Sequence, residues 1–374
     1  MNKNFFGFPI VAISTVISSA IAAIFWLYIA SEIGPESYGE LTYLISIASL
    51  VSGFALFGTN ETIMVFSAKK VDVQKTLFYI SLFSSAISAI VIFLIFDNFG
   101  VSFLIIAYVL FGLITSDLLG KKLYGQYAKN LLIQKILLVG LGIGFYYLFG
   151  ENGILIGIAL SHGYFIIELI KILKKSKFNF KFFKEKKKFI LNSFALSITD
   201  VVAGSMDKLL IAPLLGFVIL GNYSLGLQFF SILLMLPGAA IKYLIPQDAS
   251  GILNKKLKII LVLMSISIAL LSYFFSPMVI SNIFPKFNES EDIIRIISWA
   301  IIPITINSVI FIPKLWAQEK NKIILFVTII SLVSQIIGIF SLGFMFSANG
   351  IALSFVISMS IGTVCYLILD KFKK

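Results

Sequence analysis

Residues 8–30 read FPIVAISTVISSAIAAIFWLYIA, twenty-three positions without a charge. At 1.5 Å per residue a helix of that length reaches about 34 Å, enough to cross a hydrocarbon core roughly 30 Å thick. The run lacks an A-x-A-like cleavage site and exceeds the apolar stretch of a secretory signal, so it reads as a retained span. Eleven more apolar runs follow, at 41–60, 77–96, 101–119, 131–149, 153–173, 189–213, 220–241, 256–275, 293–313, 322–345 and 348–369.

Little is left between the runs. Hydrophobic residues make up 59% of the 374 and charged residues 13%, about half the ~25% of a soluble domain. No segment remains to form a polar exterior, and the runs lack the alternation over ~10 residues that a membrane barrel needs. The expectation is an all-α, polytopic membrane protein of twelve transmembrane helices. Cys365 and His162 are the single cysteine and single histidine, so no internal disulfide, metal site or cofactor site is expected. Nothing reads as a nucleotide-binding domain or as catalytic chemistry, so a transporter is expected rather than an enzyme.

The net charge of +12 is distributed with a pattern. Lys3, Lys69, Lys70, Lys75, Lys121, Lys122, Lys129, Lys135, the run from Lys171 to Lys188, Lys242, Lys255, Lys256, Lys258, Lys314, Lys320, Lys322 and the tail Lys371, Lys373 and Lys374 fall on one side of the alternating topology. Glu32, Glu36, Asp97, Glu151, Glu289, Glu291 and Asp292 fall on the other, against Lys286 and Arg295 alone. Basic connections face the cytoplasm, so a multi-pass protein of the cell membrane with both termini cytoplasmic is expected. The lysines suit anionic membrane lipids. No basic domain stands clear of the bilayer to bind nucleic acid.

The longest basic connection, KILKKSKFNFKFFKEKKKF from Lys171 to Phe189, separates six spans from six. The expected units are an N-terminal bundle over 1–175, a basic linker over 176–188 and a C-terminal bundle over 189–374. An internal match supports duplication. Span 1 ends in IASEIGPESYGELTY and span 7 in IAPLLGFVILGNYSL, which align Gly34 with Gly216 and Gly39 with Gly221. Glycine at such corners supplies φ > 0 and lets helix ends approach closely. Because six is even, the two bundles would be related by a pseudo-two-fold along the membrane normal, as in parallel-repeat transporters that work by alternating access.

The stretch SMDKLLIAPLLGFVILGNYSLGLQF, residues 205–229, resembles a corner of the polysaccharide and lipid-linked oligosaccharide flippases, O-antigen exporters among them, of the multidrug/oligosaccharidyl-lipid/polysaccharide exporter superfamily. EIGPESYGELTY, residues 32–43, resembles that family's first corner. The resemblance implies a flippase that moves lipid-linked oligosaccharide, on a polyprenyl phosphate or pyrophosphate, for cell-surface polysaccharide, lipopolysaccharide or glycoconjugate assembly. A polymerase, ligase or glycosyltransferases would be its partners. It picks out Asp207, Lys208, Gly216, Gly221 and Tyr223, with Gly34, Tyr38 and Gly39 in the first half. The chain departs from members that hold pyrophosphate with cavity arginines, since Arg295 is its only arginine, and lysine lacks the bidentate fork.

Ionisable groups at membrane depth usually face a cavity and mark a route. In span 7, Ser193, Ser197, Asp200, Gly204 and Asp207 share one helix face, which either lines a substrate cleft or forms a polar seam between helices. Lys208 is expected to snorkel outward or meet a neighbouring span, since adjacent residues do not face each other. His162 is expected to be a neutral hydrogen-bonder or a proton-responsive group. Glu168 is expected to meet the following lysines. Gln228 and Asn307 place polar groups in spans 8 and 10, where Pro303 should bend the helix. Lys135 and Lys314, read as lying near cytoplasmic span ends, are candidate first contacts for an anionic head group. Two rival functions are a cation-coupled multidrug or toxin exporter of the same superfamily, for which Asp200 would serve, and a membrane glycosyltransferase or polymerase.

Overall fold

The computed structural model describes residues 7–371 apart from 236, 239–243, 245, 246, 249–253 and 319. Lys3, Lys242, Lys373 and Lys374 of the charge pattern lie outside the described residues. The helices are α1 (Gly7–Leu56), α2 (Thr59–Ala68), α3 (Gln74–Phe96), α4 (Phe99–Gly120), α5 (Tyr124–Phe149), α6 (Glu151–Leu160), α7 (Phe165–Lys175), α8 (Phe180–Glu185), α9 (Lys187–Leu215) and α10 (Phe217–Leu233). After them come α11 (Lys255–Ile283), α12 (Ser290–Ile297), α13 (Ile301–Ile306), α14 (Ile312–Ala317) and α15 (Asn321–Lys371). Among the described residues nine stretches are long and apolar enough to cross a membrane. Two of them, within α1 and α15, run 48 residues each and are folded at Gly34 and Ser347, so each holds two crossings. With the shorter apolar α10 they account for the twelve expected spans.

The corners show how the fold is set. Gly34 has φ 81° and ψ 176°, and Gly216 has φ 92° and ψ 167°. This region of backbone space is essentially restricted to glycine, and both helices resume immediately beyond it. The two residues stand at the same place in the aligned corners, so one backbone conformation has been used twice.

A second duplicated corner was not read from the sequence. Asn152-Gly153-Ile154 and Asn349-Gly350-Ile351 are 197 residues apart. Three residues before each glycine the backbone turns left-handed, at Gly150 (φ 68°, ψ −154°) and Ser347 (φ 53°, ψ −130°). A Cβ on Gly153 would collide with the carbonyl of Phe145, and one on Gly350 with that of Leu342, again 197 residues on. Bare glycine lets each helix return against its predecessor.

Two spans are interrupted. The turn Ser161–Tyr164 divides span 6 into α6 and α7. In span 10 a 3-10 turn, Ser298–Ala300, precedes α13, and a π turn, Asn307–Phe311, precedes α14. Pro303 and Pro313 explain both. Each lacks an N–H and crowds the carbonyl four residues earlier, and those carbonyls belong to Trp299 and Val309, inside the two irregular turns.

The chain forms two compact units, Met1–Phe25 with Tyr43–Leu209 and Trp26–Thr42 with Leu210–Lys374. The middle of α1, around its Gly34 corner, therefore groups with the second half of the sequence, and most of α9 with the first. The first unit's core gathers Ile63, Leu77, Phe78, Leu113 and Phe165. The connection after α7 joins that core. Phe182 of α8 is buried against Phe66, with ring centroids 4.6 Å apart, and the Lys177 amide donates to Asp72 Oδ2 at 2.8 Å. In the second unit α12 packs on α10, α11 and α15, and Leu220, Tyr223, Ile293, Ile297 and Ile351 are fully buried.

Candidate functional site

The polar face of α9 changes character along its length. Ser193 is buried, and Ser197 donates to its carbonyl at 2.8 Å. Asp200 and Gly204 are exposed, and nothing approaches within 4 Å of a Cβ built on Gly204. Asp207 is buried again at 8% exposure. Asp200 forms no ion pair among the described residues, although it sits near the middle of a helix of membrane-spanning length and apolarity.

Asp207 and Lys208 do not behave as adjacency suggested. The Lys208 ammonium folds back and meets Asp207 Oδ1 at 3.2 Å and the Gly204 carbonyl at 3.1 Å. Asp207 Oδ1 also accepts the Lys208 amide at 2.8 Å. The expectation of an outward snorkel is corrected. The lysine stem is long enough to wrap over the turn, and glycine at 204 leaves the carbonyl four residues back uncovered.

The aligned corners meet within the second unit. A Cβ on Gly39 would strike the carbonyl of Phe217, and a Cβ on Gly221 would strike that of Pro35. Residues 35 and 217 are related by the same offset as 39 and 221, so the contacts are reciprocal. Thr42 and Ser224 continue the pattern, their hydroxyls 3.1 Å apart across 182 residues. Asn222 Oδ1 accepts the Ser290 hydroxyl at 2.9 Å and its amide at 3.1 Å. The Lys286 ammonium donates to the Glu32 carbonyl at 2.9 Å. Tyr38 and Tyr223 are both buried, and the Tyr38 ring lies edge-on to Phe287 at 5.9 Å.

His162 belongs to a separate cluster in the first unit. Its Nδ1 lies 2.9 Å from the Ile158 carbonyl. A carbonyl only accepts, so Nδ1 carries the proton, and Nε2 faces the Gln134 amide nitrogen at 3.4 Å. Gln134 Nε2 also donates to the Ser161 hydroxyl at 3.0 Å, and Tyr108 and Phe111 pack edge-on to the imidazole. Asn130, one turn before Gln134 and 1% exposed, has neither amide atom paired among the described residues. Sequence reading passed over Asn130 and Gln134, although two amides four residues apart in an apolar run signal one polar helix face.

The remaining candidates are dispersed. Because α5 begins at Tyr124, Lys135 sits roughly 16 Å into that helix at 1.5 Å per residue, and it is half-buried. Lys314 lies half-buried in α14. Gln228 is half-buried in α10, and its carbonyl accepts the Ser231 hydroxyl at 2.7 Å. Asn307 opens the π turn with its buried Oδ1 unpaired among the described residues. Glu168 meets Lys171 at 3.0 Å, as expected of a carboxylate beside the basic connection. No group of three or more metal-ligating side chains occurs among the described residues.

No family model matches the chain, and no curated protein matches it. Solved structures do. The chain is similar to the lipid II flippase MurJ in an inward closed conformation, with a TM-score of 0.76 at 17% identity, covering 96% of this chain and 87% of that one. It is similar to a multidrug resistance MATE family transporter of the MOP superfamily in its inward-facing conformation, with a TM-score of 0.69 at 15% identity, covering 95% and 94%. A MOP superfamily transporter from Pyrococcus furiosus gives a TM-score of 0.64 at 13% identity, covering 98% and 95%. The chain thus has the all-α, polytopic fold of these membrane transporters. At these identities the likeness is one of fold.

Proposed function

We propose that the protein is a membrane transporter working by alternating access, built from two six-helix repeats related by an axis along the membrane normal, with Asp200 as its cation-accepting group. Asp200 carries the proposal. A carboxylate in a membrane span, exposed and unpaired among the described residues, is stable only where water or a cation reaches it. The duplicated corners at Gly34 and Gly216 and at Gly150 and Ser347 support a repeated architecture, and the fold shared with solved transporters supports transport.

Two cargoes fit. Cation-coupled export of an organic toxin is favoured by Asp200 and by the likeness to multidrug exporters. Flipping of a lipid-linked oligosaccharide is favoured by the GPESYG corner and by the likeness to the lipid II flippase. Proteoliposomes separate them. Movement of labelled lipid-linked oligosaccharide selects the flippase, and cation-driven efflux of a lipophilic cationic dye selects the exporter. In either case Asp200→Asn should abolish the movement. Wild-type transport that survives Asp200→Asn unchanged rejects the role given to Asp200.

A further inference from the structure

A cavity of about 450 Å³ opens in the first unit where α2, α3, α4, α5 and α7 reach their lysine-rich ends, the side that the positive-inside rule puts in the cytoplasm. Three carboxylates lie in its wall, and each has a hydrogen-bond partner. Asp117, 1% exposed, takes the Lys121 ammonium at 2.6 Å on one oxygen, and the Ser67 hydroxyl and the Gln74 amide on the other, both at 2.9 Å. Glu168 takes Lys171 at 3.0 Å and the Gln126 amide at 2.9 Å. The remaining acid, Asp72, is engaged by the Lys177 amide. Lys70 and Lys175 also line the cavity, and neither forms an ion pair among the described residues.

We propose that this cavity binds the phosphodiester head group of an anionic phospholipid from the cytoplasmic leaflet, with Lys70 and Lys175 as its cationic contacts. The lipid source follows from α7. Glu168, Lys171, Ile172 and Lys175 face the cavity. Ile166, Ile167 and Ile170 stand on the opposite side of the same helix, all about half exposed, as a helix against acyl chains requires. An amphiphile whose chains lie against those isoleucines reaches the cavity with its phosphate round the end of α7 at Lys175, at a basic interhelical pocket of the kind that binds lipid head groups. Lys70 is held in place by its backbone. It adopts φ 58° at the end of α2, and its amide donates to the Ser67 carbonyl at 3.0 Å. Glycine is the usual residue at such a helix end. A lysine there keeps its charge at the cavity mouth against that preference. The site stands independently of the transported cargo.

The test uses the full chain purified in a neutral detergent, with bound lipid counted by native mass spectrometry. The probes are phosphatidylglycerol, phosphatidylcholine and sn-glycerol 3-phosphate. Phosphatidylglycerol should bind in preference to phosphatidylcholine, and glycerol phosphate should not displace it at equal concentration. The double variant Lys70→Gly, Lys175→Gln removes both cations without orphaning a buried carboxylate, and it should weaken phosphatidylglycerol binding roughly ten-fold or more. The pair Lys184→Gln, Lys187→Gln makes the same charge change on the neighbouring connection and should alter binding less than about two-fold. Equal losses in the two pairs, equal binding of phosphatidylcholine, or displacement by glycerol phosphate would each overturn the proposal.

Discussion

Thr42 and Ser224 share a hydrogen bond of 3.1 Å although 182 residues separate them, and that separation is the one that superposes the two halves of the sequence at their first corners. Each residue therefore bonds its own counterpart. Around them, Gly39 abuts Phe217 and Gly221 abuts Pro35. Such self-complementary contact marks an isologous pairing in oligomers, and here it occurs inside one chain.

Because the approach is backbone against backbone, a methyl group at Gly39 has nowhere to go. Gly39→Ala and Gly221→Ala should each destabilise the protein by about 1–3 kcal/mol, the usual cost of overpacking. The reciprocal geometry adds a sharper expectation. Once one substitution has pushed the corners apart, the second meets less resistance, so the double variant should lose less than the sum. Thermal unfolding of the four proteins in one detergent checks this. Strict additivity would show that the two glycines do not share a contact.

The hydroxyl pair is a smaller effect of known form. Interhelical hydrogen bonds in membrane proteins average about 0.6 kcal/mol by double-mutant cycles. The cycle Thr42→Val, Ser224→Ala should return a coupling near that value, against none for Thr42→Val combined with the distant Ser341→Ala.

At the end of α9, Lys208→Met removes the ammonium from a buried carboxylate that keeps only part of its hydrogen bonding. A loss of about 1–3 kcal/mol is expected for an underpaired buried charge. Asp207→Asn combined with Lys208→Met removes the charge as well as the partner and should recover much of that loss. Equal stability of Lys208→Met and the wild type would mean that the pair contributes nothing.

The spans and the first corner were legible because each rests on a local signal. Long uncharged runs admit one solvent, and a glycine beside Pro35 admits few backbones. Other features depend on relationships that no local window contains. The corner at Gly150 and Ser347 escaped notice because its repeat is 197 residues rather than 182, and because serine replaces glycine at the left-handed position. Lys135 lies further into its helix than the apolar run shows, because the polar Gln126, Lys129 and Asn130 hid the first turns of α5. The connection after α7 read as a basic linker because lysines outnumber its few apolar residues, yet Phe182 is buried in the first unit's core and Phe183 packs against it. The fold of Lys208 over Gly204 was out of reach, since it depends on a rotamer rather than on helix periodicity.

The central claim is that the middle of the α9 polar face meets water at membrane depth. In a Cys365→Ala background, Ser197→Cys, Asp200→Cys and Gly204→Cys should each react with a charged, membrane-impermeant thiol reagent, and Ala195→Cys, exposed on the opposite face of the helix, should not. Reaction at the three positions, slowed by cargo, is the predicted result. Unreactive cysteines at all three positions, with Ser197→Cys and Gly204→Cys still transporting, would contradict the claim.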